Sequence, residues 1–396
     1  MPDLDQRLRS FDGIRAPELW ERIERHRPGP EAPEPTRSLA LRVGVAFLAL
    51  LVAAVGLAAI TRGFLHPDTR PASPSPVPRI TATIHLDAHP AGVVAARGVI
   101  WVSNGDDGSL TPIDPTTNRP GPAVLCSMGS PLVADGALWT VGNNGNLCLP
   151  GGARAAQMLF RLDPATGAVQ AETTLQTDPR LYATKVAAGA GALWAASWGE
   201  PGTGDHGRFR GVLSRVDPSS GRVTARRRIG IWMGGLAAGF GGVWVADAPG
   251  HRPGTLLRID PGTLAVVARI PVGIGPVDVT TGYGSVWVAN DADGTLMRID
   301  PTSNTVVASI RVPGVGALAV GQGGIWCTSF AGLVTLIDPA TNQVAGTPLR
   351  IGRKLELTGI TVGDGAVWVT RAVWEMNASD QTVTRIALST STSPAP

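Results

Sequence analysis

A glycine precedes a tryptophan by three residues at seven points in this chain, and this repeat restricts the fold more than any other feature. The seven tryptophans are Trp101, Trp139, Trp194, Trp244, Trp287, Trp326 and Trp368. Their spacings, about 38, 55, 50, 43, 39 and 42 residues, lie near the 40–50 residues that are typical of β-propeller blades. Glycine at that position permits the positive φ of a tight hairpin turn. The repeat therefore predicts an all-β fold built from seven copies of one unit.

One complete copy is the segment 282–310, GYGSVWVANDADGTLMRIDPTSNTVVASI. After the glycine turn, its sequence predicts strands at 286–289, 295–299 and 306–310, with an Asp-Pro turn between the last two. Aspartate accepts local backbone hydrogen bonds in a turn, and proline ends the strand. The aspartates of six such Asp-Pro turns are Asp114, Asp163, Asp217, Asp260, Asp300 and Asp338.

The seventh copy lacks its fourth strand. Residues 381–386 align with the third strand of the complete copy, and no fourth strand follows them. A segment near the other end, 79–84 (RITATI), resembles the fourth strand at 306–310. We therefore predict a seven-bladed β-propeller over 79–388 in which the N-terminal strand completes the last blade. Such closure leaves only short, protected sheet edges.

The segments on either side of the propeller have different compositions. Residues 1–37 are polar, and their Leu19, Trp20 and Ile23 suggest either a docking segment for a cytoplasmic partner or a weakly ordered cytoplasmic tail. Residues 63–78 are rich in proline and serine and are typical of a semi-rigid linker. Residues 389–396 are predicted to be a disordered tail.

Residues 38–62 are predicted to be a transmembrane signal anchor. The nineteen residues 43–61 carry no charge, and as a helix they would extend about 28 Å, enough to cross the hydrocarbon core. A secretory signal peptide is the alternative, but its basic region is normally short, and here about 42 residues precede the apolar run. We expect a single span that places the propeller outside the cytoplasm.

Composition argues against a nucleic-acid partner. The formal net charge is +3, and no cluster of basic residues interleaved with aromatic residues occurs. The chain has 43% hydrophobic residues, which is ample for a core. Only two lysines, Lys185 and Lys354, are present, so the basic character is carried by arginine.

Connection lengths indicate where binding would occur. In a propeller, the connections between second and third strands share one face with those that join successive blades. We call this the loop face, and we expect binding there because variable loops on a rigid scaffold often carry function. Four second-to-third connections are long: 142–157, 197–211, 247–254 and 371–380. The candidate ligand-binding residues in these connections and at blade junctions are Trp198, Glu200, His206, Arg208, Trp232, Asp247, His251, Lys354, Arg371 and Trp374.

The repeat quoted above resembles the bacterial propellers related to streptogramin (virginiamycin B) lyase and the YVTN-type surface repeats. That lyase family has Trp-Phe-Thr-Glu at its second strands and works with a histidine, acidic residues and Mg²⁺ on the loop face. The residues three after each tryptophan are here Asn104, Gly142, Ser197, Asp247, Asn290, Ser329 and Arg371. Asp247 is the only acidic counterpart, and no histidine matches the catalytic one.

Other motifs for catalysis or metal binding are weak. Asp291 and Asp293 before Gly294 superficially resemble a calcium loop, as do Asp106 and Asp107, but the later ligands of an EF-hand are missing. The six histidines are scattered without metal-ligand spacing. We expect no cofactor and no metal site.

The chain has three cysteines, and an extracytoplasmic location would permit a disulfide between two of them. Cys126 lies where blade one passes into blade two, and Cys148 lies in the long connection of blade two, on the same face. We predict a disulfide between them, which would enclose about 22 residues and stabilise the fold by roughly 3 kcal/mol. Two free thiols are the alternative, because a shared face does not guarantee the required Cα separation. Cys327 is expected to be a small buried apolar residue.

The sequence therefore predicts a membrane-anchored, extracytoplasmic, non-catalytic propeller that binds a ligand or a protein on its loop face. A Mg²⁺-dependent lyase or hydrolase of the streptogramin-lyase type is the first alternative. A purely structural surface protein is the second.

Overall fold

A computed structural model provides the fold of this protein. It describes residues 77–105, 107–126, 129–143, 157–176, 181–199, 210–229, 233–248, 252–353, 356–372 and 381–389. The chain divides into two compact units, Met1–Ala72 and Ser73–Pro396, and all of these residues belong to the second. The predicted cytoplasmic tail, membrane span and terminal tail lie outside the described residues, apart from residue 389. Within the described ranges, no helix has the length and apolar character needed to cross a membrane.

The described residues form seven antiparallel sheets, one for each predicted blade. We refer to the strands of a blade as first to fourth, counted outward from the axis of the ring. The early strands are β1 (Val77–His85), β2 (Pro90–Ala96), β3 (Val99–Asn104), β4 (Ser109–Asp114), β5 (Arg119–Pro120), β6 (Val124–Cys126), β7 (Leu132–Ala134), β8 (Ala137–Asn143), β9 (Gln157–Leu162) and β10 (Val169–Gln176). Blade one contains β2 to β6, with its fourth strand split into β5 and β6, and blade two contains β7 to β10.

Blades three to seven continue the pattern, and each has four strands. Blade three contains β11 (Tyr182–Gly189), β12 (Ala192–Gly199), β13 (Arg210–Val216) and β14 (Val223–Arg228). Blade four contains β15 (Met233–Gly239), β16 (Gly242–Asp247), β17 (Pro253–Ile259) and β18 (Val266–Ile274). Blade five contains β19 (Pro276–Gly282), β20 (Ser285–Asn290), β21 (Thr295–Asp300) and β22 (Thr305–Arg311). Blade six contains β23 (Val315–Gly321), β24 (Gly324–Ser329), β25 (Leu333–Asp338) and β26 (Gln343–Arg350). Blade seven contains β27 (Leu357–Gly363), β28 (Ala366–Arg371), β29 (Thr382–Ser389) and β1.

The N-terminal strand closes the ring, as the sequence predicts. Strand β1 pairs antiparallel with β29, with Ile84 opposite Val383. Ile84 and Leu86 are buried in the core between blades seven and one. The first strands of adjacent blades contact each other around the whole ring, including β27 with β2 and β2 with β7. The seven-bladed propeller is thus a closed structure.

Each repeated tryptophan packs between two blades. All seven are almost completely buried. The core consists of seven clusters, and each contains one tryptophan together with residues of the following blade. Trp287 of blade five, for example, contacts a cluster that includes Ile325 and Cys327 of blade six. The tryptophans therefore join successive blades and are not available for stacking with a ligand.

The turn between first and second strands is a two-residue hairpin in every blade. Both turn residues have positive φ, for example 49° at Tyr283 and 71° at Gly284. This geometry is the type I′ turn that matches the twist of antiparallel strands. Because glycine adopts positive φ without steric cost, its position three residues before each tryptophan is explained. These turns and the Asp-Pro turns form the face that we call the short-turn face.

The Asp-Pro turns are held by hydrogen bonds to their aspartates. Asp300 accepts hydrogen bonds from the backbone N–H of Thr302 at 2.7 Å and from the hydroxyl of Ser303 at 3.0 Å. The backbone N–H of Thr302, followed by the Ser303 hydroxyl, lowers the pKa of the Asp300 carboxyl. The carbonyl of Asp300 accepts from Asn304, whose φ is 58°. The pKa is lowered in the same way at Asp114, Asp163, Asp217, Asp260 and Asp338.

Arginines on third strands connect some blades on the short-turn face. Arg258 of blade four lies over the ring of Trp244, 5.1 Å from its centroid. Its guanidinium donates to the carbonyl oxygen of Pro301 at 2.7 Å and to Asn304 Oδ1 at 2.9 Å, both in blade five. Arg298 repeats this arrangement toward blade six. These contacts combine a cation–π interaction with charge-assisted hydrogen bonds.

Candidate binding site on the loop face

The two faces of the ring differ in the length of their connections. On the short-turn face, the first two strands of each blade are joined by two residues. On the loop face, the connections between second and third strands are short in blades one, five and six and longer in the other four blades. The longer ones are 144–156, 200–209, 248–252 and 372–381. These are the four connections that the sequence predicts to be extended.

Most predicted ligand-binding residues lie outside the described residues. They are Glu200, His206, Arg208, Trp232, His251, Lys354 and Trp374. The predicted disulfide also stays a prediction, because Cys148 is not described and only the backbone of Cys126, at the end of β6, is described. Cys327 is buried and has a free thiol, and burial raises its pKa to about 12.

Trp198 was expected in a loop, but it lies in a strand. Strand β12 continues to Gly199, so Trp198 pairs with Tyr182 and Gly211 in adjacent strands. The side chain is partly buried against the core between blades three and four. A nearly continuous run of apolar, buried residues extends through 192–199, which is typical of a strand buried on both faces and fits the longer strand. Asp247 ends β16 opposite Met233, at the loop-face edge of blade four.

Arg371 forms an ion pair at the edge of blade seven. Its Nε lies 2.6 Å from Glu356 Oε2, and the two side chains are 15% and 10% exposed. The same oxygen accepts a hydrogen bond from the backbone N–H of Arg353. Burial alone would raise the pKa of Glu356, but the hydrogen bonds and charges of Arg371 and Arg353 lower it overall. Arg371 therefore orders the junction of blades six and seven, in addition to its position on the loop face.

A second ion pair lies at the mouth of the central channel. Lys185 Nζ, on the first strand of blade three, is 3.0 Å from Asp278 Oδ1, on the first strand of blade five. The other carboxylate oxygen accepts a hydrogen bond at 2.9 Å from the backbone N–H of Leu318 in blade six. Lysine and aspartate side chains are 32% and 18% exposed, so water reaches both. The pair links three blades near the loop-face ends of their inner strands.

Blade four, which lies between the two charged residues, has glycine at the equivalent position. A Cβ on Gly235 would lie 2.7 Å from the backbone nitrogen of Val279 and 2.8 Å from the carbonyl carbon of Asp278. These distances are too short for any side chain, so only glycine allows the two strands to approach so closely.

The Lys185–Asp278 pair was missed at the sequence level, although the repeat contains a signal for it. Both residues stand nine positions before the tryptophan of their blade, as does Gly235. They are the only charged residues in the seven inner strands β2, β7, β11, β15, β19, β23 and β27. An alignment of the copies by this position would have identified two charges in an otherwise uncharged channel wall.

The acidic turn of blade five is held by its own hydrogen bonds. Asp293 accepts from the backbone N–H of Ile274 and from the hydroxyl of Thr295, both at 2.8 Å. Burial raises the pKa of the neighbouring Asp291, and the charge of Asp293 adds to the effect. Both oxygens of Asp293 are thus engaged in the turn itself. Within the described residues, no group of three or more His, Cys, Asp or Glu residues is arranged to hold a metal ion.

Comparison with known proteins supports the fold and does not assign a family. No protein-family model matches the sequence, and no curated protein is similar enough to count as a match. In contrast, 1209 chains of solved structures match the fold, so the fold alone does not select a function. BamB from Moraxella catarrhalis is 15% identical, with 79% of this chain and 98% of that chain covered and a TM-score of 0.49. The computationally designed protein Ika8 is 12% identical, with 78% and 100% covered and a TM-score of 0.53. At these identities the likeness concerns the fold alone.

Proposed function

We propose that this protein is a membrane-anchored, extracytoplasmic propeller that binds a ligand or a protein partner on its loop face without catalysis. One observation carries the proposal: the two faces of the ring are unequal. The turns between first and second strands on one face all have two residues, whereas the loop face has three connections of ten or more residues and a solvent-accessible ion pair. Binding residues are commonly found on loops that a rigid scaffold positions.

The position of the first strand fits this arrangement. Val77 pairs with Ser389, so β1 begins on the short-turn face and runs toward the loop face. The proline-rich segment that precedes Val77 therefore joins the propeller on the short-turn face. Membrane anchoring itself rests on the uncharged run at 43–61.

The lyase alternative rests on the repeat motif, and it requires a histidine and acidic residues that the sequence does not place at the matching positions. Nothing within the described part of the loop face favours it over binding.

A screen for ligand-dependent thermal stability tests the proposal. A purified fragment of residues 77–396 would be incubated with a library of metabolites and with periplasmic or cell-wall extracts. A ligand that binds the folded ring raises its apparent melting temperature. We expect hits to lose their effect when the 200–209 connection is replaced by a short Asp-Gly turn. The matched control is Tyr283→Ser on the short-turn face, where Tyr283 is exposed. Ligands that still raise the melting temperature after the 200–209 connection is replaced, but no longer do so in Tyr283→Ser, would overturn the proposal.

A reporter fused after Pro396 tests the predicted topology. A reporter active only outside the cytoplasm, with the chain in the membrane fraction, is the expected result. Release of a soluble mature form would indicate a cleaved signal peptide, and activity in the cytoplasm would refute the localisation.

A further inference from the structure

We propose that the channel mouth binds a carboxylate group through the ammonium group of Lys185. This inference names the chemical class of ligand for the loop face, and it rests on the proposed binding function. The observations that carry it are the unused donors and greater exposure of Lys185, the small residues around the pair, and the absence of other charges from the inner strands.

Lys185 has unused donors, and its side chain is more exposed than that of Asp278, 32% against 18%. A lysine ammonium has three N–H donors. Among the described residues, Asp278 is the partner of Lys185, and their bond engages one donor. Each oxygen of Asp278 already accepts one hydrogen bond, from Lys185 and from the backbone N–H of Leu318. The pair therefore presents unused donors and favours a ligand that supplies hydrogen-bond acceptors.

The level of the channel that holds Lys185 is lined by small residues. The residues nine positions before the other five tryptophans are Gly92, Ser130, Gly235, Ala317 and Gly359. None of these side chains is larger than that of serine, so none extends far over the lysine. The 32% exposure of the Lys185 side chain shows that solvent reaches it. A carboxylate that binds the Lys185 ammonium would therefore displace water and no protein side chain.

Stability alone does not account for a charged pair at this position. Exposed or half-exposed ion pairs contribute little to stability, and apolar residues of similar volume often stabilise a fold as well. Every other position of the inner strands is uncharged. The chain also uses lysine here although its basic residues are almost all arginine. A compact ammonium with rotatable donors suits a narrow channel better than a planar guanidinium.

The neighbouring Asp278 favours a singly charged carboxylate over a phosphate. Its negative charge lies 3.0 Å from the ammonium and would repel a doubly charged phosphate more strongly. The carboxylate could belong to a small metabolite or to the carboxyl terminus or acidic side chain of a protein partner. Both sources share the same chemistry at Lys185.

Titration calorimetry on the full-length chain in detergent tests the inference. The probes are the monocarboxylates acetate, propionate and butyrate, with sodium chloride and inorganic phosphate at matched ionic strength as controls. A short peptide with a free carboxyl terminus and its amide distinguish a protein source from a metabolite. We expect at least one carboxylate to bind at millimolar concentration or tighter. We expect phosphate to bind more weakly and the peptide amide not to bind.

Two substitutions separate binding from a structural role. Lys185→Met should weaken carboxylate binding about ten-fold or more. If Lys185→Met does not fold, Lys185→Gln is measured in its place, with the same expected result. Asp278→Asn should leave binding intact or strengthen it, because it removes a competing negative charge, even though it loses the ion pair. If no carboxylate binds, or if Lys185→Met and Lys185→Gln bind as well as the native chain, the inference is wrong. If a ligand found in the thermal screen binds the Lys185→Met variant as tightly as the native chain, that result would support the proposed binding function and would refute the role of Lys185.

Discussion

The indole N–H of Trp101 donates a 2.9 Å hydrogen bond to the carbonyl oxygen of Pro164 in the neighbouring blade. The other six repeated tryptophans donate instead to a carbonyl five residues earlier in their own blade, as Trp287 does to Gly282. Pro112 stands opposite Trp101 in blade one, where blade five has Arg298 opposite Trp287. Blade six also lacks the arginine, with Leu336 opposite Trp326, but Trp326 keeps the bond within its own blade. Trp101 is thus the one repeated tryptophan whose indole N–H connects two blades.

The first prediction concerns this contact. Trp101→Phe removes the hydrogen bond and should lower the free energy of unfolding by about 1–2 kcal/mol, in addition to the loss of apolar contact. The matched control is Trp287→Phe, which loses a bond within one blade. Hydrogen exchange should increase in both blades one and two for the first variant. For the control, the increase should be centred on blade five. Equal exchange patterns would contradict the connecting role of Trp101.

The second prediction uses a difference between repeated arginines. Arg298 Nε donates to the hydroxyl of Ser285 at 2.8 Å. Blades two and seven have Ala137 and Ala366 at the equivalent position. In the described part of those blades, Arg161 Nε and Arg385 Nε are buried without a hydrogen-bond partner.

Serine at these positions would supply the missing acceptor. Ala366→Ser should raise the free energy of unfolding by about 1 kcal/mol, and Ser285→Ala should lower it by about 1–3 kcal/mol because it leaves a buried donor unpaired. Urea denaturation of both variants measures the changes. Two changes of the same sign would show that the hydroxyl does not serve the arginine.

The third prediction concerns stability at low pH. The pKa of Asp300 is lowered in the folded protein, so the stabilisation by this carboxylate is complete above the ordinary aspartate pKa of about 3.9. It is lost as the pH falls through the lower folded value. Asp300→Asn should therefore reduce stability at pH 7 and make it less dependent on pH between about 5 and 2. Denaturation curves at several pH values test this, and an unchanged pH dependence would refute it.

The fourth prediction concerns Asp291, whose pKa is raised, so that its effect on stability with pH is opposite to that of Asp300. Burial raises the pKa of Asp291, so the folded state favours its protonated form and is destabilised as the pH rises through the folded value. Asp291→Asn should raise the melting temperature at pH 7, and the gain should disappear at low pH. Asp107→Asn, in the corresponding turn of blade one, is the control. A lower melting temperature at pH 7 for Asp291→Asn would show that its charge is needed.

The fifth prediction concerns the closing strand. A chain that begins at residue 77 retains β1, whereas one that begins at residue 87 lacks it and exposes the edge of β29. The second chain also loses the buried side chains of Ile84 and Leu86. We expect it to melt at a much lower temperature or to aggregate. Equal melting temperatures of the two chains would contradict closure by β1.

The sequence predicted the architecture well because the repeat is local. Glycine before tryptophan and Asp-Pro after an apolar strand each reflect a turn whose geometry depends on a few neighbouring residues. The repeat also assigned the closing strand, because 79–84 matches the fourth strand of another copy.

The candidate site was predicted less completely because it depends on contacts between blades. The bond from Lys185 to Asp278 spans 93 positions in the sequence and joins two blades that are not adjacent in the ring. The Arg371–Glu356 pair likewise depends on how the junction of blades six and seven folds. Trp198 was placed in a loop because the strand was predicted too short. Such contacts follow only once the ring has been assembled.

Closure by β1 also constrains the order of folding. The hydroxyl of Thr81 donates to the carbonyl of Arg385, 304 residues away. Strand β1 therefore cannot pair with β29 until the end of the chain has been synthesised. At about 5–20 residues per second, a ribosome needs roughly 15–60 s to synthesise the intervening chain. During that interval the edge strands of the growing array are unprotected, and a nascent chain can pair with another one. Expression of this protein should therefore depend on chaperones that hold such edges apart until translation has finished.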